Sequence, residues 1–267
     1  MKWFSLFLGL FCFSAFASAS ETISPDAEAA KIKRKSLNFA APVWAGYTYN
    51  NGTGLYWDLL KEVYEPLGFT LNFKSLPWNR SMKLMTEYRT VDGVPGEGLD
   101  SDYEHLVFSK YPLEPEYLAL VYSPGVVASF ERYPSLSGKV VGMRAGYNLV
   151  PEGERYGEFQ LKEFTSLQKG MQLLKAGAID VLVDEFSEID TIAGENNISL
   201  DQFEVTEFET GDYYYMSFND SPANKPLVTI FDARMETLAK EGVLEELYAH
   251  WMVDMPEPLV ALSGNSK

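Results

Sequence analysis

The order of extended and helical patterns along the chain constrains the fold most. Residues 36–40 (SLNFA) alternate as a strand, and apolar residues at helical spacing follow, with Gly68 as a stop signal. Residues 69–73 (FTLNF) alternate as a second strand, and Pro77 opens a second helix. This order of strand, helix, strand and helix is typical of a lobe built on a largely parallel sheet.

The same alternation begins again in the second half of the chain. A β-rich run at 117–122 is followed by a strand ending in a glycine turn (LSGKVVGMRAG), a helix (SLQKGMQLLKAG) and a further strand (AIDVLVDEF). After an extended run at 203–208, two amphipathic helices close the chain and are expected to return to the first lobe. We therefore predict an α/β protein of two α/β lobes joined by two hinge strands, with crossings near residues 120 and 212.

These patterns set the expected domain bounds. They are a signal peptide at 1–19, a flexible N-terminal lead at 20–35, a first lobe at 36–121 and 213–254, a second lobe at 122–212 and a C-terminal tail at 255–267. Such lobes have the size of ordinary domains.

The first residues predict export. They contain Lys2, an apolar stretch and the small-residue pattern Ala17-Ser18-Ala19, which together are typical of a secretory signal peptide cleaved near Ala19. The apolar stretch is shorter than the ~20 residues that a membrane span needs, and no later segment approaches that length. We expect a periplasmic protein without stable membrane insertion. Its one cysteine, Cys12, would be removed with the signal peptide.

The charge of the chain argues against several partners. The formal net charge is −16, and removal of Lys2 with the signal peptide makes it −17. Such acidity disfavours nucleic acid and anionic membranes as partners. Two histidines far apart and no cysteine after position 19 predict no metal site, and the absence of a phosphate- or dinucleotide-binding pattern predicts no cofactor.

Six segments in order resemble a known family. They are GLYWDLLKEVYEPLG, FTLNFKSLPWNRSMKLM, VDG, VFSKYPL, LSGKVVGMRAGY and LLKAGAIDVLVDE. Together they are similar to the periplasmic solute-binding proteins of family 3, whose best-known members bind amino acids for ABC importers. The resemblance extends over nearly all of residues 36–252. It implies the type II periplasmic binding fold, with a ligand enclosed between the lobes.

Asp184 is the first candidate for a ligand contact. It ends the buried strand AIDVLVDEF, and ligands of open α/β sheets meet the carboxyl ends of strands. The resemblance implies that an acid at this position receives the ammonium group of the ligand. The alternative is a surface acid or a cap for the helix beginning near Phe186.

The expected clamp for a ligand carboxylate is missing. The resemblance implies an arginine in the segment before VFSKYPL, but Asp102-Tyr103-Glu104 stands there. Two other arginines are possible substitutes: Arg80, in the first turn of a helix expected to begin at the cleft rim, and Arg144, at the end of the strand KVVGM. Each is equally expected to be solvated or paired at the surface. The other possibility is a cationic ligand, which Glu97, expected on a loop between Gly96 and Gly98, would help Asp184 to attract.

Aromatic residues near the predicted strand ends complete the candidate site. Trp44, Tyr47, Trp78 and Tyr122 are possible walls for a ligand, because aromatic rings supply apolar contact and can face a cation. Each is also a reasonable core residue.

We therefore predict an exported solute-binding protein, not an enzyme, that binds a small polar, amine-bearing molecule. The expected partners are that ligand and an inner-membrane ABC permease, and the protein is expected to be a monomer. Two alternatives stay open. One is a lyase or dehydratase using Glu97 and Asp184 on the same fold. The other is a periplasmic sensor module that acts on a receptor.

Overall fold

The computed structural model describes residues 24–145 and 159–264, and the predicted signal peptide lies outside them. One sheet contains the eight strands β1 (Ser36–Ala41), β2 (Thr70–Ser75), β3 (Gly93–Gly98), β4 (Leu106–Tyr122), β5 (Val140–Arg144), β6 (Gln160–Phe164), β7 (Val181–Asp184) and β8 (Glu204–Asn219). Their spatial order is β2-β1-β3-β8-β4-β7-β5-β6.

Helices cover this sheet. The described α-helices are α1 (Pro25–Lys31), α2 (Leu55–Tyr64), α3 (Trp78–Thr86), α4 (Leu167–Lys175), α5 (Phe186–Glu195), α6 (Lys225–Lys240), α7 (Val243–Trp251) and α8 (Glu257–Val260). No helix among the described residues is long and apolar enough to span a membrane.

The strand pairing produces two lobes. β1 pairs in parallel with β2 and β3, and β5 pairs in parallel with β6 and β7, so each lobe has its own parallel group. The long antiparallel strands β4 and β8 run through both groups and are the two crossing segments. The predicted fold of two α/β lobes joined by two hinge strands is therefore confirmed.

The crossing is a place where the β4–β8 ladder is irregular. The pairing shifts register at three points between Phe108 and Tyr117, a stretch that contains Pro112 and Pro115. Proline has no N–H to donate to a ladder, and Gly211 on β8 has a φ of +93°. Few regular ladder bonds therefore connect the lobes at this level, which suits a hinge.

Each lobe has a separate hydrophobic core. In the first lobe Trp57, Tyr64 and Phe231 are fully buried between α2, α6 and the sheet. In the second lobe Val183 and Met171 are fully buried on opposite faces of the sheet. This explains why β7 reads as a continuous apolar run, since both of its faces are covered.

Three predicted bounds differ from the structure. The flexible lead contains α1, whose Ala29 and the following Ile32 are buried in the first-lobe core. The C-terminal tail contains α8, which buries Leu259 in the same core. The first crossing lies before residues 118–122, because this part of β4 packs in the second-lobe core and its last four residues pair with β7.

Candidate functional site

A cleft of about 720 Å³ lies between the lobes at the carboxyl ends of the parallel strands. Ligands of open α/β sheets bind at such ends, and this volume is within the range of small-molecule sites. The lining residues are Pro42, Trp44, Trp78, Asn79, Gly96, Glu97, Gly98, Asp100, Ser101, Asp102, Tyr103, Glu116, Arg144, Ala145, Glu185, Glu188 and Tyr214.

Asp184 lies behind the wall of this cleft. β5 and β7 are parallel neighbours with Gly142 opposite Leu182, so their ends bring Arg144 beside Asp184. Arg144 Nε donates to Asp184 Oδ2 at 2.6 Å, and Arg144 Nη2 donates to Oδ1. The Glu185 N–H also donates to Oδ1 at 2.9 Å. With a relative exposure of 0%, Asp184 has no open face toward the cleft.

This arrangement gives Asp184 a partner within the protein, and its contact with a ligand stays a prediction. Burial raises the pKa of its carboxyl, and the guanidinium of Arg144 opposes that shift. The bidentate pair orients Arg144 rather than leaving the carboxylate available to a ligand. On the cleft side, Glu188 Oε2 lies 3.8 Å from Arg144 Nη1, so the arginine contacts two acids.

Glu185 is the acid that β7 delivers to the cleft. Strand residues alternate in direction, so the residue after Asp184 faces the other way. Tyr214 Oη donates to Glu185 Oε1 at 3.1 Å. Burial raises the pKa of Glu185 to about 8, Asp184 adds to the shift, and Arg144 and the Tyr214 hydrogen bond oppose it.

Glu116 and Tyr214 bring the hinge strands into the site. Pro115 pairs with Tyr213, and Glu114 with Tyr214, which places Glu116 and Tyr214 on neighbouring strands in the cleft wall. Burial raises the pKa of Glu116, and hydrogen bonds from Thr210 and Tyr214 oppose the shift. Movement of the hinge strands would therefore move these two side chains directly.

Glu97 is the main carboxylate of the first-lobe wall. It follows Gly96, whose φ of +90° forms a β-bulge against β8. A Cβ at Gly96 would lie 3.1 Å from the Trp44 ring, so glycine allows the strand and the ring to meet. The prediction placed Glu97 on a loop; it belongs to β3.

Few hydrogen-bond donors surround the carboxylate of Glu97. Its relative exposure is 9%, and its buried Oε2 has no hydrogen-bond partner. Burial raises the pKa of Glu97 to about 7; a hydrogen bond from Ser101 opposes this, and the charges of Asp100 and Asp102 add to it. A buried carboxylate oxygen without a partner is costly, so a donor from a ligand would be stabilising there.

The described cleft is rich in acidic side chains. Six carboxylates line it, whereas its one described cation is Arg144, which Asp184 engages from behind. The carboxylates are Glu97, Asp100, Asp102, Glu116, Glu185 and Glu188. Clefts lined by one sign of charge concentrate ligands of the opposite sign.

No group of three or more His, Cys, Asp or Glu side chains suited to a metal ion occurs within 24–145 and 159–264.

Two tryptophans form the apolar side of the cleft. The rings of Trp44 and Trp78 pack with centroids 5.6 Å apart, and both line the cleft. Trp78 begins α3, and the next residue, Asn79, accepts a hydrogen bond from Tyr103 Oη at 2.8 Å. This places an apolar surface beside the carboxylates, suited to the alkyl part of an amine-bearing ligand.

Besides Asp184, three predicted site residues do not line the cleft. Tyr47 packs on Tyr56, and both tyrosines hydrogen-bond to Glu114, which does not line the cleft. Tyr122 is buried in the second-lobe core, where its hydroxyl pairs with Thr206 Oγ1 at 2.8 Å. Arg80 is exposed on α3. The structure does bring Trp44, Trp78, Glu97 and Arg144 together, and their contact with a ligand stays a prediction.

Sequence reasoning missed Glu116, Glu185 and Glu188 in the cleft. Glu185 had a detectable signal, because strand alternation predicts opposite directions for the two acids that end β7. Strand alternation also allows at most one or two residues of the run Tyr213-Tyr214-Tyr215 to face the cleft, and Tyr214 is the one that lines it. Glu116 gave no clear signal, since Pro112 and Pro115 interrupt the strand pattern before it.

Comparison with known proteins agrees with this architecture. No protein-family model matches the chain. A curated protein of Haemophilus influenzae, described as a probable amino-acid ABC transporter-binding protein, is 22% identical over 258 residues, which cover 92% of this chain and 94% of that protein.

Two solved structures are similar in fold. One is an arginine 3rd transport system periplasmic binding protein from Legionella pneumophila, with a TM-score of 0.61 and 16% identity over 82% of this chain and all of that one (100%). The other is the ancestral amino-acid-binding protein AncCDT-1, a precursor of cyclohexadienyl dehydratase, with a TM-score of 0.56 and 16% identity over 86% and 99% of the two chains. The predicted resemblance to family 3 solute-binding proteins is confirmed.

Proposed function

We propose that this chain is a periplasmic solute-binding protein that closes its two lobes on a small polar, amine-bearing solute and delivers it to an ABC importer. One observation carries the proposal. The cleft between the lobes presents six carboxylates, while its described arginine is engaged by Asp184. The description of the Haemophilus relative supports the importer role, and the monomeric state remains part of the proposal.

The cleft suggests how binding and closure are linked. Glu97 belongs to the first lobe, Glu185 to the second, and Glu116 to a hinge strand. An ammonium group that contacts acids of both lobes stabilises the closed state more than the open one. Trp44 and Trp78 then cover the apolar part of the solute.

A thermal-shift screen of amino acids, amines and small organic acids on the mature protein tests this proposal. A ligand of the native state raises the melting temperature, and 100 Kd of free ligand stabilises by about 2.7 kcal/mol. We expect amine-bearing compounds to give the largest shifts. If only compounds without an amine raise the melting temperature, the proposed solute class is wrong.

A carboxylate-dependent lyase is the second candidate. Its support is the raised pKa of Glu97 and Glu185, about 7 and 8, because general acids and bases are often tuned to this range. The similarity in fold to AncCDT-1, a precursor of cyclohexadienyl dehydratase, is a second reason to test this alternative. As a binding protein, however, the chain should return its ligand unchanged.

Prolonged incubation followed by mass spectrometry distinguishes these two functions. We expect no product from any compound that shifts the melting temperature. Product that forms with wild type and disappears with Glu97→Gln or Glu185→Gln would establish the lyase instead. Glu87→Gln, at an exposed acid of the first lobe, is the matched control.

Neighbouring genes distinguish an importer from a sensor. An adjacent permease and ATPase pair would support import, whereas an adjacent kinase or cyclase would support a sensor that uses the same cleft. Both use lobe closure, so the ligand screen applies to either.

Export gives a further prediction. We expect the mature protein to begin near Ser20 and to be unaffected by reducing agents, because Cys12 is removed with the signal peptide. Intact-mass analysis of a periplasmic extract measures this directly. Retention of Met1, or a lipid adduct, would contradict the predicted processing.

A further inference from the structure

Two separate groups of carboxylates face the cleft from opposite walls. The first-lobe group is Glu97 with Asp100 and Asp102, and the second-lobe group is Glu185 with Glu188. Glu116 on the hinge strand stands between the lobes. The acids of each group influence one another electrostatically, so each wall carries concentrated negative charge.

Glu97 shows that the first-lobe group is more than a solvated acidic surface. The side chain is nine-tenths buried, lines the cleft and leaves Oε2 without a hydrogen-bond partner. The Gly96 bulge and the close Trp44 ring hold this residue in place. A buried acceptor kept unsatisfied at a cleft wall is suited to a donor from outside the chain.

The second-lobe group has a matching preorganised acid. Tyr214 holds Glu185 Oε1 by a hydrogen bond of 3.1 Å, and the Asp184–Arg144 pair packs directly behind it. Because Arg144 is engaged by Asp184 and lies 3.8 Å from Glu188, it is a poor clamp for a ligand carboxylate.

We infer that the ligand is a dication, a short alkyl diamine without a carboxylate, with one ammonium group at Glu97 and the other at Glu185. This inference rests on the proposed solute-binding function and names the substrate class of that cleft. A monoamine would leave one acidic wall desolvated and uncompensated when the lobes close. An α-amino acid would bring its carboxylate among like charges, which repel strongly in a partly buried site.

Matched compounds test the inference by isothermal titration calorimetry on the mature protein. Lysine is 1,5-diaminopentane with an added carboxylate, and pentylamine is the same chain with one ammonium group. We expect 1,5-diaminopentane, or a diamine one or two carbons shorter or longer, to bind at least tenfold tighter than lysine and pentylamine. Affinity should peak at one chain length, because two fixed acids define one separation.

Substitutions of the two acids test which side chain binds each ammonium group of the diamine. Glu97→Gln and Glu185→Gln should each reduce diamine affinity at least tenfold, toward that of the monoamine, and leave monoamine affinity much less affected. Glu87→Gln and Asp190→Asn remove exposed acids of the first and second lobe outside the cleft and should have no effect. Circular dichroism of each variant verifies folding.

The outcomes separate this inference from the proposed function. Lysine or arginine binding as tightly as the diamine would overturn the inference and leave the solute-binding function intact. Equal affinity for pentylamine, or affinity that rises with chain length without a peak, would overturn two-point recognition. If no amine or amino acid binds at all, both the diamine inference and the proposed amine-binding function are wrong.

Discussion

Replacing Asp184 by alanine should lower the free energy of unfolding by about 3–5 kcal/mol, the usual effect of removing one partner of a buried ion pair. The variant leaves Arg144, whose side chain is only 15% exposed, without the carboxylate that accepts two of its N–H groups. Urea denaturation of the unliganded protein measures this change. Asp190→Ala, at an exposed acid of the following helix, should change stability by less than about 0.5 kcal/mol.

The double variant Asp184→Leu with Arg144→Leu sharpens this test. A buried pair replaced by apolar residues is often neutral or stabilising, so the double variant should be more stable than Asp184→Ala alone. If Asp184→Ala unfolds like wild type and instead loses ligand affinity tenfold, then Asp184 is a ligand contact after all. That result would restore the role that the sequence resemblance implied.

The lobes were predictable because their signals are local. Apolar periodicity and glycine stops define the helices and strands of each lobe from windows of ten to fifteen residues. The N-terminal helix α1 also had such a signal, since Ser24 caps it and Pro25 occupies its first turn. The prediction of a flexible lead overlooked that signature and the later burial of Ala29 and Ile32.

The pairing of Arg144 with Asp184 was not predictable in the same way. The two residues are 40 positions apart, and their contact depends on the parallel register of β5 on β7. An error of one residue in that register would exchange the side chains that face the cleft. For this reason the sequence identified the acidic end of β7 but not which of its two acids, Asp184 or Glu185, lines the cleft.

The position of the first crossing also depended on long-range pairing. The run YPLEPEYLALVY contains two prolines, which normally interrupt a strand, yet β4 continues through them. The ladder tolerates them because its register shifts there. The structure thereby brings Glu116 to the cleft, although no local pattern predicts this.

Acidification should weaken binding of the diamine more than any single substitution. The pKa of Glu97 is about 7 and that of Glu185 about 8, mainly because burial disfavours their charged forms. An alkyl diamine stays doubly protonated below about pH 9. If both acids must be ionised, affinity should fall by up to about 10⁴-fold between pH 8.5 and 5.5, with proton release on binding.

The stability of the unliganded protein should change in the opposite direction. A carboxyl whose pKa is raised in the folded state binds more protons there than in the unfolded chain, so stability decreases as pH rises. For Glu97 this loss begins above its ordinary pKa of 4.5 and is complete above about pH 7. Glu114 also has a pKa of about 7 and adds to the trend without lining the cleft.

Glu97→Gln separates these two effects. Its amide cannot ionise, so at pH 8.5 the unliganded variant should melt a few degrees above wild type. A gain of about 1 kcal/mol in the free energy of unfolding produces a shift of this size in a protein of this length. The same variant should lose most of the increase in melting temperature that the diamine produces. The pH dependence of the increase that remains should come only from Glu185 and Glu116. Melting curves with and without 1,5-diaminopentane from pH 5.5 to 8.5 measure both quantities. A wild-type affinity independent of pH over this range would show that these carboxylates do not hold the ligand, because a cation at Glu97 or Glu185 must compete with the proton that each acid binds.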